Sequence, residues 1–187
     1  VLWRFDQDLS FLSGLSVAVG VVVAEVCQRL GVTEAGVKWP NDVLWQGRKL
    51  SGILVETQTD PTSGVAVVVG VGLNFRMAKK PGASIGQSWV DIQSAAERLP
   101  NRNEAVAHLL EAILLALEQF SAHGFSPFES RWNQNDVMKG RPVVLRGNDN
   151  SIEGMANGVD EVGALLLDVD GVTRSVMTGD LSLRLQE

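Results

Sequence analysis

The chain has 187 residues, of which 45% are hydrophobic and 20% charged, and carries a net charge of −6. That balance excludes a disordered chain, which is poorer in apolar residues, and the glycines lack the period of a collagen. The single cysteine, Cys27, excludes an internal disulfide framework, no Cys/His cluster suggests zinc, and the acidic surplus argues against broad binding to phosphate backbones.

With no disulfides and no basic segment ahead of an apolar run, the cytoplasm is the expected compartment. Leu12–Val26 is nearly uncharged, but Glu25 interrupts it and its apolar run of about 14 residues is short for a bilayer. A buried helix is expected, and no membrane partner.

The alternation of Val1-Leu2-Trp3-Arg4-Phe5 predicts a strand with no preceding turn, as though the chain begins inside a domain. Ser10–Leu30 follows as a helix with a Glu25–Arg29 pair one turn apart, stopped by Gly31. Strands are predicted over 37–39, 42–45, 49–57 and 65–75, and a loop over 79–87. Asn103–Phe120 has helical spacing, with Asn103-Glu104 as its cap and Val106, Leu109, Leu110, Ile113, Leu114, Leu117 and Phe120 as its apolar face. Ser126-Pro127-Phe128-Glu129 reads as a capping box opening a short helix to Asn135. After Gly140, five short strands (142–146, 152–159, 164–169, 172–177 and 181–185) predict a small barrel. The expected division is 1–138 and 139–187. The fold class is α+β, a mixed sheet backed by helices, then the barrel.

Three segments could carry chemistry. In Val65–Phe75 the odd positions are large and apolar, while the even ones run Ala66, Val68, Gly70, Gly72, Asn74. Side chains alternate across a strand, so one face builds core and the other is stripped bare. Such glycines mark the close approach of a ligand or of another element, and tight packing of a helix explains them without a ligand. Lys49-Leu50-Ser51-Gly52 opens a second strand; Lys49 could hold a carboxylate or phosphate as a point charge, or simply be a solvated strand end. Lys49 and Gly52 have opposite parity, so a bend near Ser51 is needed for both to meet one ligand. Lys38-Trp39-Pro40-Asn41-Asp42 combines turn residues with groups able to bind a ligand or a metal.

Together and in this order, Lys38-Trp39-Pro40-Asn41-Asp42, Lys49-Leu50-Ser51-Gly52-Ile53-Leu54-Val55-Glu56 and Gly70-Val71-Gly72-Leu73-Asn74 resemble the biotin protein ligases. The resemblance continues through Ser130-Arg131-Trp132, Arg141-Pro142-Val143 and Gly179–Arg184. It implies a class II synthetase-like catalytic domain over 1–138 and an SH3-like barrel over 139–187. It implies a two-step reaction in which biotin and MgATP give biotinoyl-5′-adenylate, and a lysine of a carrier domain is then acylated.

By the same resemblance Lys49 is the catalytic cation facing the biotin carboxylate and the α-phosphate. Gly52, Gly70 and Gly72 form the floor under the biotin rings. Lys38, Asn41 and Asp42 position phosphates and magnesium, Asp42 being the candidate metal contact through those phosphates. Asn74, Trp89, Asp180 and Arg184 contact the nucleotide. His108, His123 and Cys27 are expected to be structural.

Two family segments, a basic glycine-rich loop of the GRGRRGR type and an earlier Ser/Thr-Asn segment, have no counterpart in the sequence, so impaired activity is expected of this chain. The alternatives are a lipoate-ligase-like acyltransferase and a non-catalytic part of a bifunctional ligase and biotin-operon repressor. DNA is expected as a partner only through a winged-helix domain elsewhere, and a homodimer is left open.

Overall fold

The computed structural model describes residues 1–60, 64–77, 88–147, 151–177 and 182–186. Five antiparallel strands make the first sheet: β1 (Leu2–Phe5), β2 (Gly36–Lys38), β3 (Asp42–Trp45), β4 (Arg48–Asp60) and β5 (Gly64–Leu73), in the order β1-β5-β4-β3-β2. Among the described residues, parallel pairing enters only as two single bridges, Val37 with Asp136 and Lys49 with Trp89. The expected loop over 79–87 lies outside the described residues.

The expected helix from Ser10 is divided. A 3-10 turn (Leu9–Leu12) is separated from α1 (Leu15–Arg29) by Gly14, whose φ of +76° suits glycine alone. Helix α1 is buried almost all round (Val17, Val19, Val21 and Val23 are fully enclosed), which overrides the low helix propensity of valine. Glu25 does not pair with Arg29. Its carboxylate takes a two-pronged ion pair from Arg131 at 2.6 and 2.9 Å, a partner 106 residues away that sequence spacing cannot indicate.

A short α2 (Ile92–Ala95) was not expected; α3 (Arg102–His123) and α4 (Ser126–Asn135) were. The α3 cap is Asn101, whose side chain accepts from the amides of Asn103 and Glu104. Its buried face is Ala105, Ile113, Ala116, Leu117 and Phe120, while Val106, Leu110 and Leu114 are exposed. Ser126 is the first residue of α4 and its side chain caps nothing, because Pro127 already starts the helix without needing an amide donor. The helix α3 and the segment Leu9–Arg29 are each long and apolar enough to cross a bilayer by length and composition; the second is mostly enclosed by this fold.

The remaining strands, β6 (Pro142–Arg146), β7 (Ser151–Val159), β8 (Leu165–Val169), β9 (Val172–Val176) and β10 (Ser182–Leu185), form an antiparallel sheet ordered β10-β6-β7-β8-β9. This is the small SH3-like barrel, and tight turns such as Asp170-Gly171, both at positive φ, connect it.

Candidate active site

The site grows from an irregularity in β4. Across the β3–β4 ladder Val43 faces Ser51, but the next residue, Leu44, faces Lys49, so Leu50 is an extra residue on β4. A bulge of this kind reverses the parity of everything beyond it. Lys49 thereby comes to the same face as Gly52, which meets the requirement for a bend near Ser51. Leu50 itself is fully buried, and Ser51 points inward with its hydroxyl unpartnered among the described residues.

The bulge is held from the other side by Asn74. Its side-chain amide donates to the carbonyls of Lys49 and Val90, each at 3.1 Å, and its backbone amide donates to the Leu50 carbonyl. Lys49 in turn donates its backbone amide to Ser88 and accepts from Val90, which sets the half-buried Trp89 beside it. Both hydrogens of the Asn74 amide are thus spent on backbone, and its structural part is to lock Lys49 in place. Asp91 was missed by sequence reasoning. Buried, it accepts from the amides of Met77 and Ser94 and anchors the stretch that pairs with Lys49. Burial pushes its carboxyl up, but these hydrogen bonds outweigh that and hold it below the ordinary range. An Asp followed three residues later by Ser, opening a helical turn, was the available signal.

On the open side of the bulge lie three charges. Asp42 Oδ2 accepts from the Lys38 ammonium at 2.9 Å, and Asp42 Oδ1 lies 2.5 Å from Lys49 Nζ in a contact that is ionic rather than an aligned hydrogen bond. Burial works to raise the Asp42 carboxyl, yet the two lysines outweigh it and hold it below the usual carboxylate range. Lys38 and Asp42 are buried, whereas the Lys49 side chain is 36% exposed. Two ammonium groups against one carboxylate leave one positive charge at the mouth of the site. This suits an anion.

It does not suit a cation. Both oxygens of Asp42 are engaged by lysines, and among the described residues no group of three or more His, Cys, Asp or Glu could hold a metal ion. The donors needed for magnesium would have to come from a phosphorylated ligand.

Asn41 ties the turn to β4: its side-chain amide donates to the Ile53 carbonyl at 2.9 Å, and its own carbonyl accepts from Ile53. A groove of about 800 Å³ runs from this turn along β4, bounded by Leu9, Ser10, Pro40, Asn41, Leu54 and Met177.

The glycine stripe continues from the charges. Asp42, Gly52 and Gly72 face one another across three strands, and Gly70 sits opposite Leu54. Among the described residues, a Cβ on Gly72 would meet only the Gly52 carbonyl, at 3.8 Å, and one on Gly70 only Leu54. Among the described residues no helix presses on either, so none of the described helices accounts for these glycines. Gly52 differs, since a Cβ there would lie 3.0 Å from both Cε and Nζ of Lys49.

Arg184 is exposed on β10 opposite Val144, and no contact among the described residues joins it to the lysines. Asp180 lies outside the described residues. His108 and His123 stand exposed on α3, away from these charges. Cys27 is enclosed, and burial pushes its thiol up to about 12, so it is not a nucleophile at neutral pH.

Family models match twice. That of the biotin/lipoate A/B protein ligase family covers residues 2–74, and that of the biotin protein ligase C-terminal domain covers 140–184. The helix-backed sheet with its lysine turn therefore falls in the biotin/lipoate ligase class. The bifunctional ligase/repressor BirA of Escherichia coli (strain K12) is 40% identical over 187 residues, or 100% of this chain and 58% of its own length. The biotin–[acetyl-CoA-carboxylase] ligase of Mycobacterium tuberculosis is 34% identical, with 94% of this chain and 64% of its own covered. The apo structure of biotin protein ligase from Aquifex aeolicus superposes with a TM-score of 0.83 at 25% identity, covering 99% of this chain and 81% of that one. A structure of the Aquifex aeolicus ligase in complex with biotin and ATP shares the fold at a TM-score of 0.84 and 24% identity, covering 99% and 77%. The chain belongs to the biotin protein ligase family. It spans between one half and two thirds of the length of the two curated relatives.

Proposed function

We propose that the protein activates biotin with ATP as biotinoyl-5′-adenylate and passes the biotinoyl group to a lysine of a carrier protein. The observation that carries this reading is the Lys38–Asp42–Lys49 cluster at the end of a sheet face bare of side chains at Gly70 and Gly72. A flat, largely apolar bicycle can lie on such a floor with its carboxylate toward the charges.

In the first step a biotin carboxylate oxygen attacks the α-phosphorus of ATP and pyrophosphate leaves. Two anions must approach, so the half-exposed Lys49 ammonium is suited to neutralise both and to stabilise the charge that builds on the α-phosphate. Asp42 keeps Lys49 and Lys38 aimed without moving, which is the advantage of a preorganised site. In the second step the carrier lysine, as the free amine, attacks the acyl carbon and AMP leaves with the bonding pair. The open groove beside Asn41 would admit the carrier. Magnesium, if used, would enter on the phosphates, and Trp89 and Arg184 are proposed to contact the nucleotide. A homodimer has one feature in its favour, the exposed Leu54 on the part of β4 beyond the reach of β3.

The test is Lys49→Ala in the protein at its natural length. Adenylate formation from ATP and biotin should fall by about 10²–10³, with cooperative unfolding little changed because the side chain is half-exposed. Parental rates in the folded variant would refute the role of Lys49. Activation of lipoate in preference to biotin would shift the substrate class.

A further inference from the structure

We infer that the barrel loop Asp160–Ala164 is a positioning element of the lysine turn, acting through the hydrogen bond that Trp39 donates to the Gly163 carbonyl. Trp39 stands between Lys38 and Pro40 and is 1% exposed. Its indole nitrogen lies 3.2 Å from Gly163 O, which belongs to the other domain, 124 residues on. The other large enclosed indole, that of Trp132, has no acceptor among the described residues, so packing alone does not supply one there.

The carbonyl is fixed rather than fortuitous. Asp160 shapes the loop: its Oδ1 accepts from the amides of Val162 at 3.1 Å and Ala164 at 2.9 Å, and its Oδ2 accepts from Ser175 Oγ at 2.8 Å. The backbone closes the same turn, with the Asp160 amide donating to Ala164 O and the Gly163 amide to Asp160 O, each at 3.0 Å.

The loop is then seated on the ligase domain. Gly14 and Gly163 face each other at positive φ, and a Cβ on Gly163 would come 2.7 Å from the Gly14 Cα. Asn133 of α4 grips Val159 just upstream, accepting from its amide at 3.0 Å and donating to its carbonyl at 3.2 Å. Ser13 Oγ donates to Val162 O at 3.2 Å. A loop held at these points presents one acceptor to the residue between Lys38 and Pro40. A shift of that acceptor would be passed to the turn carrying Lys38, Asn41 and Asp42. Placement errors of about 1 Å cost far more in a reaction than in folding.

The kinetic half of the test rests on the ligase reading; the exchange half does not. In the protein at its natural length, Trp39→Phe removes the indole donor and Asp160→Ala the loop's organiser. Asp160→Asn keeps Oδ1 as acceptor and should behave as the parent. Ser13→Ala, which loses a different bond to the same loop, is the docking control. Hydrogen exchange at the Ile53 amide, bonded to Asn41 O, should quicken about three- to tenfold in Trp39→Phe and Asp160→Ala. KM for ATP should rise over a similar range while biotin affinity holds.

Folded Trp39→Phe with parental exchange would overturn the inference. So would faster exchange with unchanged KM for ATP, which is a merely structural bond, or equal damage from Ser13→Ala, which is docking. A parent with no ATP-dependent turnover would sink the ligase reading, and the exchange arm would still decide this one.

Discussion

Gly52 and Lys49 are neighbours across a bulge. A methyl on Gly52 would stand 3.0 Å from the last two heavy atoms of the lysine side chain and 3.7 Å from Asp42 Oδ1. The glycine keeps a place for the ammonium against its carboxylate, in addition to any part it has under a ligand. Gly52→Ala should therefore fold normally, because the obstructed atoms are the far end of a flexible chain that can swing to solvent. On the ligase reading, adenylate formation should drop by about one to two orders of magnitude as the lysine is displaced. Thermal melting beside a pyrophosphate-release assay checks both halves. A parental rate would mean that the lysine's position is immaterial.

Ser51 makes an opposite case. Strand alternation beside Gly52 points it into the core, where its hydroxyl is enclosed without a partner among the described residues. A buried unsatisfied hydroxyl costs roughly 1–3 kcal/mol. Ser51→Ala should raise stability by about 1 kcal/mol in urea unfolding and, on the ligase reading, leave adenylate formation unchanged. A loss of stability would show that the hydroxyl has a partner after all.

How much of this was legible depends on the reach of each interaction. The strands and the lysine turn were legible because alternation and turn chemistry are local, and β1 through β5 fall within a few residues of expectation. The burial of Asp42 between two lysines was not, since it requires the Leu50 bulge, and a bulge is fixed by what lies on both sides of a strand. Asn74 shows the same limit: its place at the end of a bare face gave no sign that both of its amide hydrogens go to the carbonyls of Lys49 and Val90. The face of α3 was drawn too wide: Ile113, Leu117 and Phe120 are core as expected, but Val106, Leu110 and Leu114 share the apolar spacing and stand exposed, while the small Ala105 and Ala116 complete the buried face. Trp39 gave no hint of its partner, which is 124 residues away.

Asp136 follows the last turn of α4, bridged to Val37 and accepting from the Met138 amide. Burial pushes its carboxyl up to about 6, with that amide and Lys139 partly offsetting the rise. An acid whose folded value is raised favours its protonated form in the native state. Its penalty is absent below the unfolded value near 4, grows as pH rises to about 6, and is constant above. Asp136→Asn keeps the oxygen acceptor and should stabilise by roughly 1–2 kcal/mol at pH 7, after discounting for solvent screening. The gain should vanish near pH 4. Urea titrations at the two pH values decide it, and a gain independent of pH would assign the effect to something other than this carboxyl.

The bare face of β5 gives the sharpest separation between ligand and packing. Among the described residues beyond its chain neighbours, only the Gly52 carbonyl lies within 4 Å of a Cβ built on Gly72, and that contact, at 3.8 Å, is ordinary. A valine fits there without moving the fold, and a β-branched residue is better suited to a strand than glycine. Gly72→Val should hold or raise the melting temperature. On the ligase reading it should abolish biotin binding, because its methyl groups project over the floor where the ring system would lie. Val71→Ala is the mirror experiment: Val71 packs against the core on the opposite face. Truncating it should cost about 1–2 kcal/mol of stability and leave biotin affinity intact in the folded protein. Calorimetric titration with biotin and thermal melts on both variants give the answer. If folded Gly72→Val bound biotin as the parent does, this face would not be the biotin floor, and the ligand would have to lie elsewhere along the groove beside Asn41.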